Sequence, residues 1–248
     1  MLKLGIMFTL AVLILAPAAM AGVCNGNCGT LGANGVVSLS PFGSAAYTYI
    51  TTSLGVAGAG ELAVGGTNGS DFTTDAFAAS VGEKLDFYFD YVTSDGSGYA
   101  DYAWARLLDA STSAEVAILF TARTNPTLPI VPGTGLPAAA SILNPASVLI
   151  NLGTTWSPLD ESSGTCYNAG CGNSGWVEST YTIGAAGSYK LQYGVTNWLD
   201  TAYDSGMAVD GATIAGVPIE GVVPEPTTIL LFGTGIGALA LVRRRRAS

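Results

Sequence analysis

Hydrophobic and polar residues alternate along much of the chain between positions 36 and 216. In residues 84–91 every second residue is Leu, Phe or Tyr, and residues 188–196 repeat the pattern with Tyr, Leu, Tyr and Val. A period of two over seven or eight residues predicts a half-buried β-strand. Weaker runs predict further strands at 45–52, 61–65, 72–78, 101–108, 116–122, 148–152, 175–183 and 207–214.

These ten predicted strands are short, and turn-forming Gly, Asn, Asp and Ser clusters separate many of them. No 10–15-residue helical pattern connects them, so the crossovers that a parallel sheet needs are missing. The pattern therefore predicts an all-β domain over residues 22–220. We expect an antiparallel two-sheet sandwich or jelly roll.

One segment interrupts the alternation. Residues 125–145 contain five prolines, which a central strand does not tolerate. A long loop of this kind is usually a surface or functional feature. We expect a surface insertion that lies over one sheet, with a ligand-facing lip as the alternative.

The N-terminus has the pattern of a secretory signal peptide. Lys3 precedes an apolar stretch at 4–16, and Ala19 and Ala21 place small residues at the −3 and −1 positions of a cleavage site. This pattern predicts a signal peptide at 1–21 that is cut after Ala21. The expected partners are the Sec translocon and signal peptidase.

The C-terminus combines three features within residues 223–248. Pro224, Glu225 and Pro226 precede an apolar run at 227–242, and Arg243, Arg244, Arg245 and Arg246 follow it. Sixteen apolar residues form a helix of roughly 24 Å, short for a hydrocarbon core of about 30 Å but compatible with local thinning and arginine snorkelling. We predict a single transmembrane helix at 227–242, with the arginines on the cytoplasmic side.

The order of these features resembles the PEP-CTERM sorting tail of Gram-negative bacteria. In that family a membrane-embedded cysteine transpeptidase, exosortase, reads the tail and is thought to cut near the Pro-Glu-Pro motif. The resemblance implies export, inner-membrane anchoring, and release to the cell surface or extracellular matrix. It also implies an exopolysaccharide-producing, biofilm-forming host.

Composition narrows the chemistry of the exported body. The chain has no histidine, which excludes a Ser-His-Asp triad and every histidine metal site. Residues 22–223 hold 17 acidic and only four basic side chains. Such an acidic surface repels the phosphate backbones of nucleic acids. We therefore expect no nucleic-acid partner.

The four cysteines are Cys24, Cys28, Cys166 and Cys171. An even number in an exported chain favours disulfides. We prefer the local pairs Cys24–Cys28 and Cys166–Cys171, because both intervening segments are rich in residues that turn tightly. Such short pairs would clip loops and not hold the fold. A four-cysteine zinc site is the alternative.

Two further groups of side chains could bind ligands. Asp95 and Asp101, with Asp204 or Asp210, could supply oxygen ligands for Ca²⁺, with Asp200 in the second cluster; hydrogen-bonded turn aspartates are the commoner outcome. Trp156 and Trp198 lie nearest to predicted turns. They are the tryptophans we expect to stack on sugar rings, although strand tryptophans are usually buried.

Several strings in the body resemble PEP-CTERM proteins whose β-sandwich is similar to secreted carbohydrate-binding modules. They are YVTSDG at 91–96, ADYAWA at 100–105, SGWV at 174–177 and DSGMAVDG at 204–211. They favour the sandwich fold and the exported destination. The tail and the acidic, aromatic-bearing β body together favour a noncatalytic cell-surface or matrix protein, with exopolysaccharide as the expected ligand. The alternatives are a secreted glycoside hydrolase with paired carboxylates and a purely structural biofilm matrix component.

Overall fold

The computed structural model describes residues 22–219, which form an antiparallel β-sandwich. The predicted signal peptide (1–21), transmembrane helix (227–242) and sorting tail (223–248) lie outside these residues. The strands are β1 (Val23–Asn25), β2 (Asn27–Leu31), β3 (Tyr47–Thr51), β4 (Val56–Ala57), β5 (Asn68–Thr73), β6 (Phe77–Ala79), β7 (Lys84–Thr93), β8 (Tyr102–Asp109), β9 (Glu115–Arg123), β10 (Ile142–Asn144), β11 (Gly172–Asn173), β12 (Val177–Thr182), β13 (Gly187–Thr196), β14 (Ser205–Ile214) and β15 (Val217–Pro218). A 3₁₀ helix covers Ser157–Ser162.

The strands form two sheets, and the all-β sandwich prediction is confirmed. Sheet one has the order β1-β5-β13-β8-β9, with β4 on β5 and β6 on β13. Sheet two has the order β10-β12-β7-β14-β3-β2, with β11 on β7 and β15 on β14. All strand pairs are antiparallel.

The main core lies between the inner faces of the two sheets. Alternation places Phe87 and Phe89 of β7 on this face, opposite Phe120 and Tyr193 of sheet one. The rings of Phe89 and Phe120 stack with centroids 3.6 Å apart, and Phe87 meets Tyr193 edge-on at 5.5 Å. This aromatic packing between the layers holds the sheets face to face.

The proline-rich segment joins the two sheets, so the expectation that it lies over one sheet is wrong. The backbone of this segment forms hydrogen bonds with the open edge of β9. The Ile130 carbonyl accepts one of them, and the N–H groups of Gly133 and Ala140 donate the others. It then enters sheet two as β10, which pairs with β12. Ile130 and Val131 are fully buried in the main core. The segment thus covers the edge strand β9 and closes one side of the sandwich.

The Cys24–Cys28 disulfide also connects the sheets, and so does more than clip a loop. Cys24 lies on β1 at one edge of sheet one, and Cys28 lies on β2 at one edge of sheet two. The chain passes between them at Gly26, whose φ of 105° favours glycine. A covalent bond therefore fixes the first residues of the body to both layers.

Two predicted strands are wrong, and a third is divided. Residues 61–65 form a loop from which Leu62 packs on the outer side of sheet one, against Tyr102 and Trp104. Residues 148–152 form only isolated bridges, through Val148 and Asn151. The predicted strand at 72–78 is split between β5 and β6.

Candidate functional site

Four connecting segments meet at one end of the sandwich, which we call the tip: residues 52–55, 94–101, 163–171 and 197–204. The Tyr167 N–H donates to the Ser94 carbonyl at 2.9 Å, and the Ser97 N–H donates to the Ala169 carbonyl at 2.8 Å. The Ser94 hydroxyl donates to the Asp204 carbonyl at 2.8 Å. These bonds join three of the segments into one surface.

Three tyrosines, each from a different segment, form a cluster on this surface. Tyr99 meets Tyr167 edge-on with ring centroids 5.5 Å apart, and Tyr167 lies 5.0 Å from Tyr203. Tyr167 is 45% exposed and Tyr203 is 38% exposed, whereas Tyr99 is half-buried. The tyrosine cluster is thus partly open to solvent. Apolar rings with polar edges are suited to recognising amphipathic ligands.

The backbone of residues 197–204 is strained at two positions. Leu199 has φ 77° and Tyr203 has φ 59°, in the left-handed region that bulky side chains avoid. Leu199 is also 60% exposed. Such conformations persist where the surrounding structure holds them, and they concentrate at ligand-binding segments.

Beneath the tip, the inner faces of the sheets change from apolar to polar. The alternation of five strands continues, but the next inward position is polar: Thr93 after Tyr91, Asp101 before Ala103, Thr124 after Ala122, Asn197 after Val195 and Ser205 before Met207. Asp95 continues the spacing of β7. We call these six residues the end layer; each is 3% exposed or less.

A chain of hydroxyl groups crosses the end layer and ends on Asp101. The Thr124 hydroxyl donates to Thr93 at 3.1 Å, and the Ser205 hydroxyl donates to Asp101 Oδ2 at 2.6 Å. The hydroxyls of Thr93 and Ser205 are 2.8 Å apart. The Trp198 N–H donates to Asp101 Oδ1 at 2.9 Å. Burial nevertheless raises the pKa of Asp101 well above its usual range, and the charge of Asp95 adds to the increase.

Asp95 and Asn197 each keep an oxygen without a partner. Asp95 Oδ1 accepts from the Gly96 N–H at 2.6 Å, but Asp95 Oδ2 accepts no hydrogen bond. Asn197 donates to Asn68 at 3.1 Å, yet Asn197 Oδ1 has no donor. Burial raises the pKa of Asp95 to about 7, and the charge of Asp200 acts in the same direction.

The structure brings only part of the predicted calcium set together. Asp95 and Asp101 share the end layer, whereas Asp204 at the tip accepts from Thr52 and Ser162 at 2.9 and 3.3 Å. Asp210 accepts from Ser40 and Ser44 elsewhere in the sandwich. Within residues 22–219, no three His, Cys, Asp or Glu side chains are arranged as a metal centre.

The expectation that Trp156 stacks on a ligand is wrong, because its side chain is completely buried. Its indole N–H donates to the Tyr47 hydroxyl at 2.9 Å, and the ring packs in a second apolar cluster with Val92 and Leu159. Trp198 is half-buried, and the Arg123 guanidinium lies 4.5 Å from its ring centroid. Ligand stacking by Trp198 stays a prediction.

All four cysteines form disulfides, as the pairs Cys24–Cys28 and Cys166–Cys171. The local pairing is confirmed, and the four-cysteine zinc alternative is wrong because no thiol is free. The second disulfide closes the segment that carries Tyr167. Sequence reasoning missed Tyr167 and Tyr203, although both stand among the Gly, Asn and Asp residues of predicted turns.

The C-terminal residues decide how the protein is sorted. Residues 222–246 match the family described as the PEP-CTERM protein-sorting motif. The chain carries a PEP-CTERM sorting signal. The predicted motif at Pro224, Glu225, Pro226 and residues 243–246 falls inside the match, and the protein is an exported substrate of exosortase. No curated protein matches the chain.

The match covers the tail and leaves the sandwich unassigned. The body is a β-sandwich, but a carbohydrate-binding-module fold is not established for it. Among residues 22–219, no helix has the length and apolar character to cross a bilayer. The transmembrane helix at 227–242 stays a prediction.

Proposed function

We propose that this protein is a noncatalytic cell-surface or matrix protein that binds extracellular polysaccharide through the tyrosine cluster at its tip. Exosortase releases it from the inner membrane near Pro224, Glu225 and Pro226, and the sandwich then acts outside the cell. The sorting motif supports the destination. The tyrosine cluster is the observation that supports binding.

Three features of the tip favour a sugar polymer as the ligand. Pyranose rings have apolar faces and hydroxyl rims, and the exposed side chains of Tyr167 and Tyr203 each combine an aromatic ring with a phenol hydroxyl. Hydrogen bonds between the loops hold the rings in place, which lowers the entropy cost of binding. The acidic body repels polyanions, so a neutral or cationic polysaccharide is the expected class.

The experiment is retention of the exported protein, purified in detergent, on polysaccharides from its host. Tyr167→Ala removes the central ring of the tyrosine cluster. An aromatic contact of about 0.5–1.5 kcal/mol corresponds to affinity that is roughly 2–10-fold weaker. The matched control is Tyr88→Ala, since Tyr88 is also a tyrosine that is not fully buried but lies on β7, away from the tip, where it donates to Glu178 at 3.2 Å.

The outcomes separate the proposal from its alternatives. Weaker retention by Tyr167→Ala but not by Tyr88→Ala supports binding at the tip. Equal loss in both variants would point to a general effect on folding and would contradict it. Self-association with no retention on any polysaccharide would instead favour a purely structural matrix protein.

A further inference from the structure

Two buried oxygen atoms at the tip lack a hydrogen-bond donor. They are Asp95 Oδ2 and Asn197 Oδ1, two of the three buried side-chain atoms without a partner among residues 22–219. Asp95 is 1% exposed and Asn197 is 0% exposed. An unpaired polar atom in this setting costs about 1–3 kcal/mol, and more if it is charged. Both residues belong to the end layer.

The strand register places Asn197 beside a second carboxyl group, that of Asp101. Thr196 pairs with Tyr102, so Asn197 and Asp101 are the next neighbours across β13 and β8, and both continue the inward-facing series. Asp95 extends the inward series of β7 in the opposite sheet. The Asp95 N–H donates to the Thr93 hydroxyl at 3.2 Å, and the hydroxyl chain through Ser205 leads from there to Asp101 Oδ2. The charge of Asp95 also raises the pKa of Asp101.

No basic side chain of the described body neutralises this layer. The single ion pair among residues 22–219 joins Arg106 to Glu115. Arg123 donates to the backbone carbonyl of Ala100 and its guanidinium lies over Trp198. Lys84 donates to Thr182. Two buried carboxyl groups without a positive partner are unfavourable by several kcal/mol if both are ionised.

We propose that the end layer binds a hard divalent cation, with Asp95 Oδ2 and Asn197 Oδ1 as side-chain ligands and Asp101 as the second carboxylate. Carboxylate and amide oxygens are the ligands that Ca²⁺ takes, and backbone carbonyls and water can complete six to eight. The set contains two acidic ligands, which agrees with the finding that no three acidic, His or Cys side chains form a centre. The site does not depend on polysaccharide binding.

The cation connects segments that carry the tyrosine cluster. Asp95 lies in the segment 94–101, which also carries Tyr99. Asn197 lies in the segment 197–204, which also carries Tyr203. A cation held by both side chains bridges the two sheets at the tip. It therefore fixes the spacing of these loops.

The test measures calcium binding and calcium-dependent stability of the exported protein, purified in detergent and stripped with EDTA. Calorimetric titration with CaCl₂ is expected to show one ion per chain. At a calcium concentration a hundredfold above Kd, the melting temperature is expected to rise by roughly 5–10 °C. MgCl₂ at the same concentration is expected to have a smaller effect, because Mg²⁺ is less tolerant of an irregular ligand set.

Two variants change the calcium response in opposite directions. Asp95→Asn removes a ligand charge, so it is expected to abolish the calcium-dependent rise and to melt no lower than the wild type when both are metal-free. Asn197→Asp adds a charge, and we expect roughly tenfold tighter calcium binding and a lower metal-free melting temperature. If Asp95→Asn does not fold, Asn197→Asp still tests the site.

Asp210→Asn is the matched control, because Asp210 is also a buried aspartate but is bonded to Ser40 and Ser44. It should keep the calcium-dependent rise in full. Absence of calcium binding at millimolar concentration would overturn the proposal, and an interior water would then be the occupant. An equal calcium response in the wild type, Asp95→Asn and Asn197→Asp would overturn it as well.

Discussion

Asp90 should make the folded protein less stable as the pH rises. It lies on β7, on the side of sheet two that faces away from the main core, and is 1% exposed. Burial raises its pKa from 3.8 to about 7, although hydrogen bonds from Ser174 and Gly175 act in the opposite direction. The Ser174 hydroxyl lies 3.3 Å from Asp90 Oδ1.

The sign and size of the effect follow from these two pKa values. Between pH 4 and 7 the folded protein holds a proton on Asp90 that the unfolded chain has released, so the free energy of unfolding decreases with pH in this range. Stability from this group is greatest below the unfolded value and is lost as the pH rises through the folded one. From pH 5 to pH 8 the loss is about 2–3 kcal/mol.

The assay is urea unfolding at pH 5, 6.5 and 8 for the wild type and Asp90→Asn. The side-chain amide of the variant cannot ionise. Between pH 5 and pH 8 the free energy of unfolding of the variant should therefore fall by about 2–3 kcal/mol less than that of the wild type. Any change in the bond to Ser174 shifts the variant at every pH and leaves the slope unaffected.

Asp109→Asn is the control for this experiment. Asp109 is half-buried at the end of β8, and hydrogen bonds from Ser111 and Thr112 lower its pKa to about 2. It is therefore ionised in both folded and unfolded chains above pH 5, so the control should keep the wild-type slope. An identical pH dependence in the wild type and Asp90→Asn would refute the reasoning.

Three further predictions concern the core, the proline-rich segment and the tail. Trp156→Phe leaves the Tyr47 hydroxyl without its donor and opens a small cavity; urea unfolding should show a loss of about 2–4 kcal/mol, and an unchanged midpoint would contradict its buried role. Ile130→Ala should cost about 2–5 kcal/mol, since Ile130 lies in the main core; a surface insertion would lose under 1 kcal/mol. Glu225→Ala, or neutral residues at 243–246, should block processing in the host, and an unchanged mature intact mass would argue against the sorting role.

The long strands could be predicted because one face of each is buried along its length. β7 and β13 lie inside their sheets and pack their inner faces on the core, so selection for burial acts on every second residue. The short strands β1, β10 and β15 have two or three residues, which is too few to show a period. Their pairing is decided by neighbours that are distant in sequence. Residues 148–152 show the opposite error, a predicted strand that does not form. The segment makes only isolated bridges, between Val148 and Val131 and between Asn151 and Asn173.

The candidate site was predictable in part for a similar reason. Asp95 and Asp101 stand in turn-like segments, and their acidic character suggested a shared role. The tyrosine cluster needed tertiary structure, because Tyr167 and Tyr203 are more than 30 residues apart in sequence. The position of Trp156 beside a turn did not indicate a ligand-facing ring, because a residue beside a turn can also cover the outer face of a sheet. Trp156 does so by packing with Leu159.

The last described residue, Ile219, and the tip lie at different places on the sandwich. The Ile219 N–H donates to the Ala212 carbonyl, and Ala212 is seven residues along β14 from Ser205 in the end layer, a rise of roughly 23 Å. Only residues 220 and 221 separate Ile219 from the sorting motif at residue 222, a span of at most about 11 Å. We therefore expect exosortase to act close to the folded body, on the side of Ile219. Because the tyrosine cluster lies beyond the other end of β14, we expect processing to leave it accessible to the proposed ligand.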